Sequence, residues 1–218
     1  MDVIEKLMSG SKLLSRNAES DIYLSNYLGT RVIVKKRIEK PYRDPELDLR
    51  IRILRTYREA NILYQSHINN IPVPKLYLVS LKSTAIVYKY IQGQTLSYYL
   101  LENFSNDSLY FIHCMGKLMG KLHSINIVHG DPHPSNFIVS NKKIYVIDFG
   151  LAFVSSSVKD YAFDLDVVYR SFHYLTPDFA NVSFDAFLNG YRNTYHNSDK
   201  VIKLHAKVAK MGRYHERV

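Results

Sequence analysis

Val128-His-Gly-Asp-Pro-His-Pro-Ser-Asn136, followed by Asp148-Phe149-Gly150, is the stretch that decides how this chain folds. Asp131 and Asn136 stand five residues apart, and the apolar run Ile144-Tyr-Val-Ile147 delivers Asp148 at its end. A carboxylate, an amide and a second carboxylate in that order suit phosphoryl transfer. That chemistry asks for little covalent work: an acceptor placed in line, a divalent cation against the phosphates, and a side-chain cation on the phosphates that stay behind. Asp131 is then the group beside the acceptor hydroxyl, while Asn136 and Asp148 hold the metal. Gly150 lets the chain turn sharply away. Neither an HxD nor a DFG triplet decides this alone; the two in order, flanked by short β runs, do.

The remaining cation is sought upstream. Val32-Ile-Val34 leads into Lys35, a lysine inside an apolar strand. Lys35 is also the first member of a Lys-Lys-Arg run and reads almost equally well as a solvated charge. Glu59 tips the balance, because it lies near the inward face of a long helical pattern, where a carboxylate needs a cation. Lys35–Glu59 is the expected ion pair. ATP and Mg²⁺ are the implied cofactors. The phosphate-binding loop falls at Ser15-Arg-Asn-Ala-Glu-Ser-Asp21, with Asn17, Ala18 and Glu19 at its tip and no glycine to bring backbone amides close to phosphate. Tyr88 and Tyr90, shortly before Gly93, are placed at the hinge against the nucleotide.

Working outward, Asp21–Leu28 and Arg31–Ile38 read as a hairpin across Gly29-Thr30. Leu47, Ile51, Leu54, Tyr57, Ala60 and Leu63 recur at helical spacing until Ile71-Pro-Val-Pro74 stops the pattern. Leu76–Ser80 and Thr84–Ile91 read as another strand pair. Past Gly93 the texture changes: helices over Leu96–Phe104 and Leu109–Ile125, capped at Asp107 or Ser108, precede β runs at Ile127–His129, Phe137–Val139 and Ile144–Ile147. Helical patterns follow at Tyr161–Leu175, Phe184–Tyr195 and Lys200–Met211. The expected fold class is α+β: a bilobal, protein-kinase-like fold with a small N-terminal antiparallel sheet lobe over 1–91 and a compact helical C-terminal lobe over 92–218.

The 218 residues suffice for one large domain or two small lobes. One cysteine, Cys114, excludes an intramolecular disulfide and fits a reducing cytosol. With no apolar signal core and no membrane-length run, the chain is expected to be cytoplasmic, with no membrane partner. The net charge of +9 is concentrated in two places. Lys35, Lys36, Arg37, Lys40, Arg43, Arg50, Arg52, Arg55 and Arg58 form one group; Lys200, Lys203, Lys207, Lys210, Arg213 and Arg217 form the other. Such clusters favour polyanionic partners.

These stretches together resemble the PRPK-type atypical kinases, the small kinase subunit of the KEOPS (EKC) complex. Asn17-Ala-Glu-Ser20 resembles that family's Gly-Ala-Glu-Ala loop, and Val34–Asp48 resembles its basic insertion after the strand lysine. Arg55-Thr-Tyr-Arg-Glu-Ala60 is similar to its ion-pair helix, and Lys159–Asp166 to the segment that makes Asp164 an anchor beneath the catalytic loop. Pro132-His133-Pro134 departs from the family and looks more like the UbiB-type kinases, whose other motifs are missing. Met211-Gly-Arg-Tyr-His-Glu-Arg217 matches the family's basic tail only in part.

The resemblance implies an ATP-hydrolysing, autophosphorylating Ser/Thr-type kinase subunit. It would support threonylcarbamoylation of tRNA, bound to a threonylcarbamoyl-transferase subunit and a small adaptor subunit, with tRNA meeting the basic stretches. The catalytic alternative is a small-molecule kinase of the aminoglycoside or choline type. The non-catalytic one is a pseudokinase scaffold. Only about ten residues separate Gly150 from the next helix, with no Ala-Pro-Glu, which speaks against a broad peptide platform. His123, His129 and His133 are read as structural rather than as a zinc site.

Overall fold

The structure, a computed structural model, describes residues 3–102 and 104–215, with side chains through Val208. The chain divides into two compact units: residues up to Asn69 with Val73–Ile91, and Asn70–Pro72 with residues from Gln92 onward. Asn70–Pro72 joins the second unit, where Val146 N donates to Pro72 O at 3.0 Å.

The first unit runs α1 (Val3–Ser9), β1 (Lys12–Arg16), β2 (Ser20–Tyr27), β3 (Thr30–Arg37), α2 (Pro45–Ile68), β4 (Leu76–Ser80) and β5 (Ala85–Lys89). The strands form an antiparallel sheet in the order β1-β2-β3-β5-β4. Leu28 and Gly29, with φ of 47° and 76°, close the β2–β3 hairpin; two left-handed residues match the twist of the flanking strands. In central β3, alternation separates two sets of residues. Val32 and Val34 join Ile4, Ala85 and Val87 in an apolar cluster. Ile33, Lys35 and Arg37, also buried, share the opposite face.

Helix α2 begins at Pro45 with Asp44 as its cap, whose carboxylate accepts from Leu47 N at 3.0 Å. Its buried side differs from the stripe expected from sequence. Leu47, Leu54 and Tyr57 are exposed, and the inward residues are Asp48, Thr56, Glu59, Ala60, Ile62, Leu63 and Ser66. Two of those are carboxylates that meet buried or half-buried cations, so charge pairing rather than apolar periodicity sets the rotation of the helix.

The second unit contains β6 (Gln94–Thr95), α3 (Leu96–Glu102), α4 (Asn106–Ser124), β7 (Ile127–Val128), β8 (Phe137–Ser140), β9 (Lys143–Val146), β10 (Phe153–Val154), α5 (Val158–Leu175), α6 (Ala180–Arg192) and α7 (Ser198–His215). Strands β6, β8 and β9 form one small sheet, and β7 pairs with β10 in another. Helix α4 is capped at Ser105, ahead of the expected Asp107 or Ser108; Ser108 closes the reciprocal capping box from inside the helix. Helices α4 and α6 press together closely enough that a Cβ at Gly190 would come within 1.9 Å of His113 O. Ile112, Met115, Met119, Leu122, Leu165, Val168, Phe172 and Phe187 fill the core. Of the tail singled out in sequence, Arg217 lies outside the described residues, as do the side chains of Lys210 and Arg213. No described helix is long and apolar enough to cross a membrane.

Candidate active site

In the first unit, the two-residue repeat of β3 brings Lys35 and Arg37 to one carboxylate. Lys35 Nζ donates to Glu59 Oε1 at 2.7 Å, and Arg37 Nη2 donates to Glu59 Oε2 at 2.5 Å. All three side chains are at most 5% exposed. The pair expected from sequence is thus a triad. By composition Arg37 is one of many basic residues, but a Lys-x-Arg spacing inside a strand carries the signal, since both side chains must share a face. Asn17, Ala18 and Glu19 form the turn between β1 and β2, where Asn17 N donates to Ser20 O at 3.0 Å. Tyr88 lies half-buried in β5. Tyr90 follows it; its N donates to Arg31 O, and the Arg31 guanidinium sits 4.5 Å over its ring.

In the second unit, β7 runs directly into the loop of Asp131. Asp164, on α5 and fully buried, accepts from His129 N at 2.8 Å and Gly130 N at 2.9 Å. His123 Nε2 lies 3.1 Å from the same carboxylate, and its Nδ1 lies 2.8 Å from Tyr191 Oη. A carboxylate only accepts, so His123 donates through Nε2, and its Nδ1 accepts from the Tyr191 hydroxyl. Burial pushes the Tyr191 hydroxyl far above the ordinary tyrosine range, which keeps it a donor.

His129 holds the next turn. Its Nδ1 accepts from Asp131 N at 3.3 Å, so Nε2 donates to Ile147 O at 3.2 Å. Burial holds its pKa below the usual histidine value, against the opposing pull of Asp164, Asp148 and Asp131. Asn136 Nδ2 donates to Asp131 O at 2.9 Å and to Asp131 Oδ2 at 3.1 Å. The unusual Pro132-His133-Pro134 core has a local role: His133 Nδ1 accepts from Ser135 N at 3.2 Å and starts the 3₁₀ turn Pro134–Asn136 that carries the asparagine. Ile147 N donates to Asn136 O at 2.8 Å, tying the residue before Asp148 to the loop. Asp148 has φ of 59°, and its Oδ1 accepts from Gly150 N at 3.1 Å. Phe149 is buried, its ring 5.2 Å from that of His129.

The RIO domain family matches residues 31–181. The KEOPS complex subunit Bud32 of Pyrococcus abyssi is 35% identical over 94% of this chain and 97% of that protein. This chain belongs to the RIO domain family, in its Bud32 group. The EKC/KEOPS complex subunit bud32 of Dictyostelium discoideum is also 35% identical, over 92% of this chain and 82% of its own length. A probable bifunctional tRNA threonylcarbamoyladenosine biosynthesis protein of Methanobrevibacter smithii is 36% identical over 93% of this chain, which spans 36% of that longer protein. The Chaetomium thermophilum Rio2 kinase, solved as an ADP/Mg²⁺–phosphoaspartate complex, superposes with a TM-score of 0.63 at 16% identity, covering 94% of this chain and 71% of that one. The fold is therefore the kinase-like α+β fold expected from sequence.

The oxygen atoms in this RIO domain chain suit Mg²⁺. Asn136 gives its amide protons to Asp131, which turns Oδ1 into its atom for a cation, and Asp148 adds a carboxylate. Mg²⁺ is ordinarily held by one or two such groups together with substrate phosphates. His123, His129 and His133 each spend a ring nitrogen on a bond within the protein, to Asp164, Ile147 O and Ser135 N in turn.

Proposed function

We propose that this chain is an Mg²⁺-dependent ATP phosphotransferase, an atypical Ser/Thr kinase with ATPase activity, serving as the kinase subunit of a KEOPS complex in forming threonylcarbamoyladenosine on tRNA. The match to a named KEOPS subunit over 97% of that protein's length carries the reading. Its partners are then a threonylcarbamoyl-transferase subunit and a small adaptor subunit, with tRNA as the modified molecule and the cytoplasm as the compartment.

Within this reading residues 1–91 serve as the nucleotide-gripping domain and 92–218 as the domain of phosphoryl transfer. Lys35, held by Glu59, contacts the non-transferred phosphates, Asn17–Glu19 covers them, and Tyr88 and Tyr90 lie against the base. Asn136 and Asp148 ligate Mg²⁺, which when bound neutralises charge developing on the phosphates. Asp131 orients the acceptor and takes its proton; the Asn136 amide on Oδ2 fixes the carboxylate's rotamer. The segment after Gly150 supports a narrow substrate range. Helix α5 already begins at Val158, and Phe153–Val154 is paired to β7, leaving little chain for a peptide platform.

ATP turnover with Mg²⁺, wild type against Asp148→Ala, tests the chemistry; equal rates sink it and leave a scaffold. Co-purification from the source cell tests the setting, and absence of a threonylcarbamoyl transferase from the captured set counts against it.

A further inference from the structure

The turn Asn17–Glu19 lacks the glycine that phosphate-covering loops ordinarily use, and the basic segment that follows β3 lies against it. Lys40 Nζ donates to Ala18 O, and the Arg55 guanidinium is paired with Glu19. Ile38 N donates to Glu19 O at 3.3 Å, so the turn is held from outside at two successive carbonyls and one carboxylate. None of residues 15–21 has a left-handed φ, so a glycine is not required by the backbone path.

The two braces are themselves fixed. Arg43 N donates to Lys40 O at 3.0 Å, and Asp48, fully buried at the start of α2, gathers the segment. Arg52 Nε lies 2.6 Å and Arg43 Nη1 3.5 Å from the Asp48 carboxylate. Burial pushes the Asp48 carboxyl up, but hydrogen bonds from Arg52 and from the Lys40 backbone, with the Arg43 charge, outweigh it and hold the group below the ordinary carboxylate range. Arg52 also reaches Thr84 Oγ1 at 3.2 Å and Glu39 at 3.5 Å. Arg55 rides on the same helix as Glu59, and its carbonyl accepts from Arg37 at 3.4 Å. Lys40, Arg43, Arg52 and Arg55, which by composition alone belong to a polyanion-binding cluster, are thus spent on internal bonds.

We infer that Lys40 and Arg55 are positioning residues for nucleotide binding: they brace the glycine-free turn Asn17–Glu19 in the conformation that covers the phosphates. The inference rests on the proposed ATP chemistry. In a glycine-rich loop the backbone is free to approach phosphate and is ordered by it. Here the ordering is done beforehand by cations from the neighbouring segment, so little entropy is lost when nucleotide arrives.

The test uses the full chain, with a non-hydrolysable ATP analogue and Mg²⁺ titrated by calorimetry, and amide exchange measured in the nucleotide-free protein. Arg55→Glu and Lys40→Met should each weaken analogue binding about fivefold to tenfold, in keeping with loss of one half-exposed ion pair or charge-assisted bond. They should also speed exchange at Asn17 and Ile38, whose amides are bonded to Ser20 O and Glu19 O. Combining Arg55→Glu with Glu19→Arg restores the pair in reverse and should recover slow exchange at Asn17 and Ile38, which a generally loosened fold would not do. Unchanged affinity in Arg55→Glu overturns the inference, whether or not exchange accelerates. If wild-type protein binds no analogue, the functional reading itself fails, and the exchange data still decide whether Lys40 and Arg55 hold the turn.

Discussion

Arg37 Nη2 lies 2.5 Å from Glu59 Oε2, the oxygen of that carboxylate that Lys35 does not use. Glu59 therefore meets two buried cations, one at each oxygen, and the three positions are not equivalent. Glu59→Gln removes the carboxylate that pairs with buried Arg37 as well as with Lys35, and should cost about 3–5 kcal/mol of stability. Lys35→Met leaves Glu59 still paired with Arg37 and should cost no more than roughly 2 kcal/mol, while removing ATP turnover. Urea unfolding of the two variants measures the contrast; equal losses would mean that Arg37 contributes nothing to the triad.

Asp164 organises the loop of Asp131 without reaching any reactant. Three donors converge on it from His129 N, Gly130 N and His123 Nε2, all in a site with no solvent. Asp164→Ala strands them and should cost about 3–5 kcal/mol, the range for removing one partner of a buried charged pair. Asp164→Asn keeps one acceptor, so it should fold, with a lowered kcat and a nearly unchanged KM for ATP. A KM effect as large as the kcat effect would argue against an action through the loop.

How far the sequence was legible depends on the kind of signal. The loop from His129 to Asn136 and the triplet from Asp148 are local patterns, and their elements fall within a few residues of where spacing puts them. The partner of Lys35 was legible because a glutamate on an inward helix face has few alternatives. Arg37 and Asp48 were not singled out, because in sequence they are ordinary members of a charged stretch. Their burial exists only once β3 and α2 are packed. The same packing overrides the Leu47–Leu54–Tyr57 stripe, which periodicity alone turns inward and which is exposed. The role of His133 as the cap of a 3₁₀ turn is equally hidden, since a Pro-His-Pro triplet has no fixed partner in sequence.

Mild acid should weaken the fold through buried histidines. His129 is buried and neutral, with a folded pKa held below the ordinary histidine value of about 6.5. The unfolded chain therefore takes up its proton first as pH falls, so the stability this residue contributes is complete above about 6.5 and is lost as pH drops through the folded value. His205, whose burial also lowers its pKa against the pull of Asp166, adds in the same direction. Asp48 acts with the same sign only below its ordinary 3.8, a separate window. Urea unfolding between pH 7.5 and 5 should show stability falling by up to about 1.4 kcal/mol per pH unit for each such histidine. His129→Gln should flatten the curve, and an unchanged slope would remove His129 from the account.

Gly130 is the position where the loop tolerates no side chain. Its φ is 80°, in the left-handed region, and a Cβ there would lie 2.5 Å from Leu151 O. Strain in that region costs roughly 1–2 kcal/mol for a residue with a Cβ, and overpacking adds about 1–3 kcal/mol more. The two effects are relieved in opposite ways. Leu151 follows Gly150, so moving it aside to admit the methyl group shifts the turn that aims Asp148, whereas rotating residue 130 breaks its hydrogen bond to Asp164. Gly130→Ala should therefore lose about 2–5 kcal/mol in urea unfolding and most of its ATP turnover. Gly29→Ala serves as the control: it shares a positive φ of 76° but has open space around it, and should cost only the backbone share, about 1–2 kcal/mol, with turnover kept. If the two variants lose the same stability and both keep turnover, the close approach of Leu151 to the catalytic loop has no functional weight.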